Sequence, residues 1–436
     1  MNTVLKTKEN FIDLLGDYPK EWTLTKNKYS FLKKSNGKND NEDTQVLSLT
    51  INGIKIKSDL SFGKTSESYI GHQLVNIGDI VFTPRDFDQT PILADVSNFD
   101  GCISNLYIVD KPNSEFIPEF VVYFWYGLKY SYDYFKNFSH GIRFSFNRQQ
   151  FDEIPLLKPT LDEQKLICNY LDKKTSQIDK LIENITNKIT LLDQEIEICI
   201  NEFVTKGTDT SVKMKDSGIQ WIGRIPEHWS TKKLKYISNV SFSSVDRHIY
   251  DNEKQVNICH YTDVYRNEYV NEKTKLPQGT CSEIEYQKFS LKDGDIIITK
   301  DSESPDDIGI PTYVVGKLKN TVCGYHLALL RMKTKEYNSE YFYRFIESKR
   351  SKDYLYIESK GVTRFGLGKQ SIENLIVPIP PVNEQILIAS KIASITSNNN
   401  EIKSKLEKKL TLLVEYRKSL ISSVVKGKLR ISADMI

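Results

Sequence analysis

The sequence predicts an α+β protein with two globular α/β domains separated by two long antiparallel helices that form a coiled coil. The two halves are expected to be a tandem repeat with pseudo-twofold symmetry. Three observations lead to this prediction. Short motifs recur in the same order in both halves of the 436-residue chain. Each half has a Tyr- and Phe-rich part in which Gly, Asn and Asp separate short apolar runs, as in strands with a few helices. Each half then ends in one long helical pattern.

The repeat consists of five motif pairs with offsets of about 210 to 220 residues. The pairs are YPKEW (Tyr18–Trp22) with IPEHW (Ile225–Trp229), NIGDIVFTPRD (Asn76–Asp86) with LKDGDIIITKD (Leu291–Asp301), SHGIRF (Ser139–Phe144) with SKGVTRF (Ser359–Phe365), PTLDEQ (Pro159–Gln164) with PPVNEQ (Pro380–Gln385), and VTKG (Val204–Gly207) with VVKG (Val424–Gly427). The predicted parts are a first head (1–158), a first spacer helix (159–206), a second head (207–378) and a second spacer helix (379–436).

The first spacer helix is predicted to begin at a capping box, in which Thr160 is the N-cap and Glu163 lies three positions later. A glycine at 207 ends it. Apolar residues then recur in steps of four and three, which is the seam of a coiled coil. The seam residues of this helix are Ile178, Ile182, Ile185, Ile189, Leu192 and Ile196. A helix from Thr160 to Thr205 spans roughly 70 Å at about 1.5 Å per residue.

The second spacer helix is predicted to begin near Asn383, where Pro381 takes the place of the hydroxyl cap. Its seam residues include Ile392, Ile395, Ile402, Leu406 and Leu413. Asn399 falls on a seam position, where it either fixes the register of the two helices or marks a local break. The simplest partner for each isoleucine stripe is the other helix, and a pseudo-twofold axis would make the two antiparallel.

Composition and motifs exclude several classes of protein. The chain is 39% hydrophobic and 27% charged, with a net charge of +3. No apolar run is long enough for a membrane span, and the N-terminus lacks a secretion signal, so a cytoplasmic protein is expected. The six cysteines lack the close pairs of a zinc site, and no metal site is expected. Walker, HExxH, nucleophile-elbow and methyltransferase motifs are missing, which favours a recognition protein over an enzyme.

In its repeated motifs, the chain resembles the specificity subunit of type I restriction-modification systems. The resemblance rests on the YPKEW and IPEHW motifs, the two GDI strands, and the segments IPLLKPTLDEQ (Ile154–Gln164) and VPIPPVNEQ (Val377–Gln385) before the long helices. The segment SGIQWIGRIPEHW (Ser217–Trp229) is a particularly strong match to the start of a recognition module in this family. The resemblance covers nearly the whole chain. The first half departs from it by lacking the WIG portion.

The resemblance implies two target-recognition domains, each of which reads one half of a split, asymmetric site on double-stranded DNA. The helices would dock two modification (methyltransferase) subunits, and restriction (translocase and nuclease) subunits would complete the assembly. S-adenosylmethionine, ATP and magnesium would be bound by those partners, while this chain would hold no cofactor and catalyse nothing. The 70 Å helices would separate the heads by about two turns of B-DNA, taking about 34 Å per turn.

Direct readout of DNA uses Arg or Lys for guanine, Asn or Gln for adenine, and short polar side chains between them. The candidate contact residues of the first head are Lys33, Lys34, Asn36, Lys38, Arg85, Gln89, Arg143 and Arg148. Those of the second head are Ser243, Ser244, Arg247, Lys300, Ser302, Arg364 and Lys369. An ordinary solvated surface residue is the competing interpretation for each of them.

Two alternatives of other classes stay open at this level. A coiled-coil tethering protein without sequence reading would bind partners independently of DNA, and its two heads would not differ in ligand choice. A fused nuclease and methyltransferase would need the catalytic motifs that are missing. Co-purification with an adenine methyltransferase would separate a recognition subunit from both.

Overall fold

A computed structural model describes residues 15, 17–32, 37–57, 68–87, 90–132, 134–137, 139 and 144–436 of the chain. The chain divides into two compact units. The first comprises Met1–Thr186 with Glu407–Ile436, and the second comprises Asn187–Leu406. Among the described residues, every helix is too short or too polar to span a bilayer.

The helices of the described residues range from single turns to two very long elements. They are α1 (Asn27–Ser30), α2 (Pro118–Tyr132), α3 (Tyr134–Asn137), α4 (Arg148–Asp152), α5 (Leu161–Lys206), α6 (Leu234–Ile237), α7 (Tyr261–Arg266), α8 (Glu283–Phe289), α9 (Ser339–Glu347), α10 (Lys349–Glu358), α11 (Lys369–Asn374) and α12 (Val382–Val425). The borders of the two units fall inside α5 and α12, so each long helix contributes to both units.

The strands are short, and most pair antiparallel. Those of the first head are β1 (Thr23–Lys26), β2 (Phe31–Leu32), β3 (Leu47–Thr50), β4 (Gly53–Ile56), β5 (Gln73–Val75), β6 (Ile80–Phe82), β7 (Ala94–Val96), β8 (Gly101–Ile103), β9 (Ile108–Pro112) and β10 (Pro155–Lys158). Those of the second head are β11 (Met214–Asp216), β12 (Arg224–Pro226), β13 (Ser230–Lys233), β14 (Ser238–Phe242), β15 (Lys254–Cys259), β16 (Tyr269–Val270), β17 (Gln278–Cys281), β18 (Ile296–Thr299), β19 (Asp301–Ser302), β20 (Pro311–Val314), β21 (Thr321–Cys323), β22 (Leu327–Met332), β23 (Phe365–Gly366) and β24 (Ile376–Ile379).

The two heads are built on central strands that occupy equivalent places. In the first head, β6 lies inside a sheet of order β2-β9-β6-β7, and all three of its residues are buried. In the second head, β18 is the middle strand of the sheet β14-β22-β18-β20-β16, and its four residues are also buried. A strand that is buried on both faces reads as a continuous apolar run, as these two strands do in the sequence.

The turn before each central strand explains the repeated Gly-Asp pair. Gly78 and Gly294 have φ values of +85° and +84°, a region that favours glycine. Asp79 then accepts a hydrogen bond from the backbone N–H of Asn76 over 2.8 Å, and Asp295 accepts one from Lys292 over 2.7 Å. The predicted tandem repeat is therefore present at the level of single hydrogen bonds.

The long helix α5 begins as its sequence predicts. The backbone N–H of Thr160 donates to Glu163 over 3.1 Å, and the N–H of Glu163 donates to the Thr160 hydroxyl over 3.3 Å. Both halves of the capping box are therefore formed. The other long helix, α12, begins at Val382 and runs without interruption through Asn399, so this residue does not break it.

Within each unit, α5 packs against α12 in the antiparallel direction. In the first unit, Arg417 donates to Asp179 over 2.8 Å. In the second unit, Lys403 pairs with Asp193 over 2.8 Å, and the amide of Asn399 donates to Glu195 over 3.1 Å. Asn399 is only 4% exposed, so a buried polar side chain with a single partner fixes the local register of the seam.

The repeated Trp, Glu and Gly motifs meet at the ends of the long helices. Trp229 is buried and donates its indole N–H to Glu384 over 2.9 Å, and Trp22 donates to Glu163 over 3.3 Å. Gly207, with φ +77°, ends α5 directly against the Trp229 ring. Gly427, just beyond α12, lies in the same way against the Trp22 ring. The start of one helix and the end of the other are thus fixed around one tryptophan in each unit.

Candidate nucleic-acid interface

In both heads, the loop after the central strand lies beside the segment that precedes the last short helix. In the first head, the N–H of Phe146 donates to the carbonyl of Pro84 over 2.8 Å. In the second head, the N–H of Leu367 donates to the carbonyl of Lys300 over 2.8 Å. Two of the three predicted contact segments of each head are therefore adjacent, although they are far apart in sequence.

Five of the predicted contact residues, Lys33, Lys34, Asn36, Gln89 and Arg143, lie outside the described residues. Among the others of the first head, Lys38 and Arg85 are exposed. Arg85 lies in the loop after the central strand, one residue beyond the paired carbonyl of Pro84. The equivalent place in the second head, one residue beyond the paired carbonyl of Lys300, is occupied by Asp301. The two heads thus present different chemistry from equivalent positions.

Arg148 is held by carboxylates of its own head. Its guanidinium pairs with Asp110 over 2.6 Å and with Asp152 over 2.9 Å. Burial raises the pKa of Asp110, and the nearby Arg148 opposes that shift. Because α4 starts at Arg148 and Asp110 belongs to β9, this pair ties the short helix to the sheet. The Arg148 side chain is still 47% exposed, so DNA contact by it stays a prediction.

The second head contains a cleft of about 500 Å³ that collects residues from all three of its predicted contact segments. We call it the second-head cleft. Its charged lining consists of the carboxylates Asp246, Asp301, Glu303 and Asp307 and the arginines Arg247 and Arg364. Its other lining residues are His260, Tyr261, Tyr265, Ser302, Tyr325 and His326. Arg247, Ser302 and Arg364 were predicted from three separate stretches of sequence, and the fold brings them together.

Asp301 is the centre of a polar network at the base of this cleft. It pairs with Lys300 and lies 2.9 Å from Nδ1 of His326. Burial raises the pKa of Asp301, but the hydrogen bonds from Lys300 and His326 outweigh that effect and lower it. Lys300 is only 12% exposed and lies near the rings of Phe242 and Tyr325. Its charge is thus neutralised by the adjacent carboxylate.

Each arginine of the second-head cleft contacts an aromatic side chain. The Arg247 guanidinium lies 5.4 Å from the centre of the Tyr261 ring. Nη2 of Arg364 lies 3.0 and 3.1 Å from the two ring nitrogens of His326. Both arginines are exposed, and neither forms a salt bridge with any of the described carboxylates. Burial and the charge of Arg247 lower the pKa of His260 beside them.

The remaining predicted residues of the second head have local partners. Ser243 is 4% exposed and donates to the carbonyl of Cys323 over 2.5 Å. Ser244 is exposed and donates to Glu285 over 2.6 Å, and Lys369 pairs with Glu373 over 3.5 Å. Because Ser243 is buried and its hydroxyl is bonded to a backbone carbonyl, it stabilises the loop that contains it.

Sequence reasoning did not single out His326, Tyr261 or Asp301 as site residues. His326 has φ +72°, an unfavourable conformation for a residue with a side chain. Such strain is found where the surrounding structure over-determines a position, often at a binding site. A positive φ at a histidine has no sequence signature, so only the fold could reveal it.

The predicted seam residues of the two helices are all at least half-buried. Four are buried and the rest intermediate. The buried ones are Ile178, Ile185, Leu192 and Ile392. The intermediate ones are Ile182, Ile189, Ile196, Ile395, Ile402, Leu406 and Leu413.

Comparison with known proteins identifies a family model and several relatives that are similar to this chain. A family model described as the type I restriction modification DNA specificity domain matches residues 226–412. The chain is 23% identical to a putative type I restriction enzyme MjaX specificity subunit of Methanocaldococcus jannaschii, over 97% of each chain. The resemblance to type I specificity subunits is confirmed. The EcoKI specificity subunit of Escherichia coli is also 23% identical, over 64% of this chain and 58% of that protein.

Two solved structures have a fold similar to that of this chain. A chain from a study of complex assembly and conformational transition of the type I R-M system superposes with a TM-score of 0.66 at 13% identity. The match covers 95% of this chain and 100% of that chain. The HsdS subunit of Thermoanaerobacter tengcongensis gives a TM-score of 0.50 at 14% identity, over 94% and 98%. The α+β tandem fold predicted from the sequence is therefore confirmed.

Proposed function

We propose that this chain is the DNA-reading subunit of a type I restriction-modification complex, and that each head reads one half of a split, asymmetric site on double-stranded DNA. The observation that carries this proposal is the pair of adjacent loops in each head. The frame around the loops repeats, including the Gly-Asp turn and the 2.8 Å bond between the loops. The side chains on the loops do not repeat, since Arg85 stands where the second head has Asp301. Two heads with the same backbone framework but different loop side chains are suited to reading two different half-sites.

The long helices are the proposed docking surface for two modification subunits and for the restriction subunits. Both helices carry large apolar side chains that are exposed on this chain, among them Leu191 and Ile198 on α5 and Leu412 and Tyr416 on α12. Exposed apolar residues on a helix whose seam is already packed favour a protein partner. S-adenosylmethionine, ATP and magnesium are assigned to those partners.

Catalysis is likewise assigned to the partners, and the chain is proposed to be a non-catalytic subunit. The purified chain should neither methylate nor cut DNA when it is incubated with S-adenosylmethionine, ATP and magnesium. Turnover by the isolated chain would refute this assignment.

The proposed function is tested by mapping methylated adenines in a host that expresses the chain together with its modification subunit. The expected result is methylation at one split site with two unlike half-sequences, and none when this chain is omitted. Methylation that does not depend on the chain, or that follows no sequence, would instead identify it as a tether without a reading function.

A further inference from the structure

The arginines of the second-head cleft differ from the other arginines that the same head holds in place. Arg331 pairs with Asp295 over 2.6 Å, and Arg344 is fully buried with Glu268 at 2.7 Å. Arg247 and Arg364 line a cleft with four carboxylates, yet neither forms a salt bridge with a described residue. Their N–H donors are therefore not used by the acids around them.

The position of Arg364 is set by a chain of contacts that ends in the sheet. Its guanidinium touches His326, and His326 is bound by Asp301 over 2.9 Å. Asp301 belongs to β19, which pairs with β23, the strand that directly follows Arg364. A long side chain held in this way loses less conformational entropy when it binds a ligand than a free surface arginine does.

The charged side chains of the cleft determine whether it can bind a phosphate group or a base pair of DNA. A phosphate would meet Asp246, Glu303 and Asp307 together with the arginines, and these carboxylates repel it. A base pair is neutral and presents acceptors and donors side by side in the major groove. Guanine offers two acceptors to an arginine, and the amino group of cytosine donates to a carboxylate.

We propose that the second-head cleft receives the major-groove edge of a G·C base pair, with Arg364 donating to guanine and His326 acting as the residue that positions Arg364. This inference rests on the proposed function, because it assigns a base pair to the half-site of the second head. The half-site read by this head accordingly contains a guanine whose recognition depends on Arg364.

The test selects bound sequences from a pool of randomised DNA duplexes with the complex of this chain and its modification subunit. Wild-type protein is compared with Arg364→Ala, Arg364→Lys and His326→Ala. The matched control is Arg266→Ala, since Arg266 is an exposed arginine of the same head that does not line the cleft. Thermal unfolding of each variant shows whether its fold is retained.

Arg364→Ala is expected to lower the preference for guanine at one position of the second half-site by about 5- to 150-fold, with the other positions unchanged. Arg364→Lys restores at most part of that preference, because an ammonium group lacks the planar fork of a guanidinium group. His326→Ala weakens the preference at the same position, and Arg266→Ala leaves the whole site unchanged.

Three outcomes would overturn the inference. In the first, Arg364→Ala weakens all sequences evenly and Arg364→Lys restores binding, which identifies a phosphate contact. In the second, Arg364→Ala selects the wild-type site. Either result leaves the proposed function intact, because the wild-type complex still selects a split site. In the third, the wild-type complex selects no sequence, and the proposed function then fails together with the inference.

Discussion

The side-chain oxygen of Gln385 accepts a hydrogen bond from the backbone N–H of Asn338 over 2.8 Å, which fixes the start of α12 to the residue before α9. The amide of Gln385 also donates to the carbonyl of Pro380 over 2.8 Å. The first unit repeats this arrangement, since Gln164 accepts from Ile117 over 2.8 Å and donates to Pro159 over 3.1 Å. The Gln of each repeated motif thus ties a long helix to the head that precedes it.

Gln385→Ala should destabilise the second unit. Gln385 is 1% exposed, and its removal leaves the N–H of Asn338 and the carbonyl of Pro380 without their partner. The expected loss in the free energy of unfolding is about 2–6 kcal/mol, since each of the two buried groups left unpaired costs about 1–3 kcal/mol. Thermal and urea unfolding followed by circular dichroism would measure it. Gln370→Ala changes an exposed glutamine on α11 and should have little effect. Equal stability of the two variants would contradict the assignment.

The seam between the long helices predicts an order of effects for three Asp substitutions along α5. Ile185 is 7% exposed, Ile189 is half-buried, and Leu181 is 46% exposed. Ile185→Asp buries a carboxylate and should cost about 3–5 kcal/mol, Ile189→Asp less, and Leu181→Asp little. Thermal unfolding and co-purification with the modification subunit would rank them. If Ile185→Asp is as stable as Leu181→Asp, the helices do not pack through this stripe.

The features that sequence alone predicts are those with local causes. The capping box at Thr160 involves residues three positions apart, and α5 runs to Lys206, within one residue of the predicted end. The Gly-Asp turns are equally local. The seam follows from periodicity, which needs no knowledge of the partner.

The contacts that sequence did not predict join residues far apart in the chain. Gln385 belongs to the repeated motif PPVNEQ, yet its hydrogen bond to Asn338 depends on how the head folds back on the helix. The charge of Arg148 predicts a contact with DNA, but its pairing with Asp110 follows only from the position of β9 in the sheet. The contact of Arg364 with His326 likewise needs two loops to meet. The sequence shows that an arginine in a loop can donate hydrogen bonds. Only the fold shows whether another residue of the protein already accepts them.

Glu153 gives the first unit a defined acid sensitivity. Hydrogen bonds from Lys26 and Lys28, over 2.6 and 2.8 Å, lower its pKa from 4.5 to about 2. Because the folded-state pKa is depressed, these pairs stabilise the fold fully above pH 4.5, and that stability is lost as the pH falls towards about 2. Wild type should therefore be more stable than Glu153→Gln at neutral pH, with the difference shrinking across this window. The control is Asp43→Asn, which changes an exposed carboxylate of the same head. A difference that stays constant down to pH 2 would show that the lysines do not stabilise the charged form.

Exchange of the first head tests the modular organisation, and the structure determines how it should be made. Under the proposed function, replacing residues 1–158 with the head of a type I specificity subunit should change one half of the methylated site and leave the other half as before. The first head also contacts the C-terminal part of the chain, however. A Cβ at Gly127 would lie 2.5 Å from Val425, and Arg430 pairs with Glu21 over 2.6 Å.

A second chimera should therefore take residues 407–436 from the donor as well, because these belong to the same unit as the first head. Both chimeras are expected to give the same new half-site in methylated-adenine mapping. The second should unfold at a higher temperature, because its donor head packs against the donor's own residues 407–436. In the first chimera, a donor residue larger than glycine at position 127 would have no room against Val425. If the unexchanged half-site changes in both chimeras, the heads do not read independently. If the first chimera is folded and only the second yields a new half-site, residues 407–436 take part in reading as well as in support.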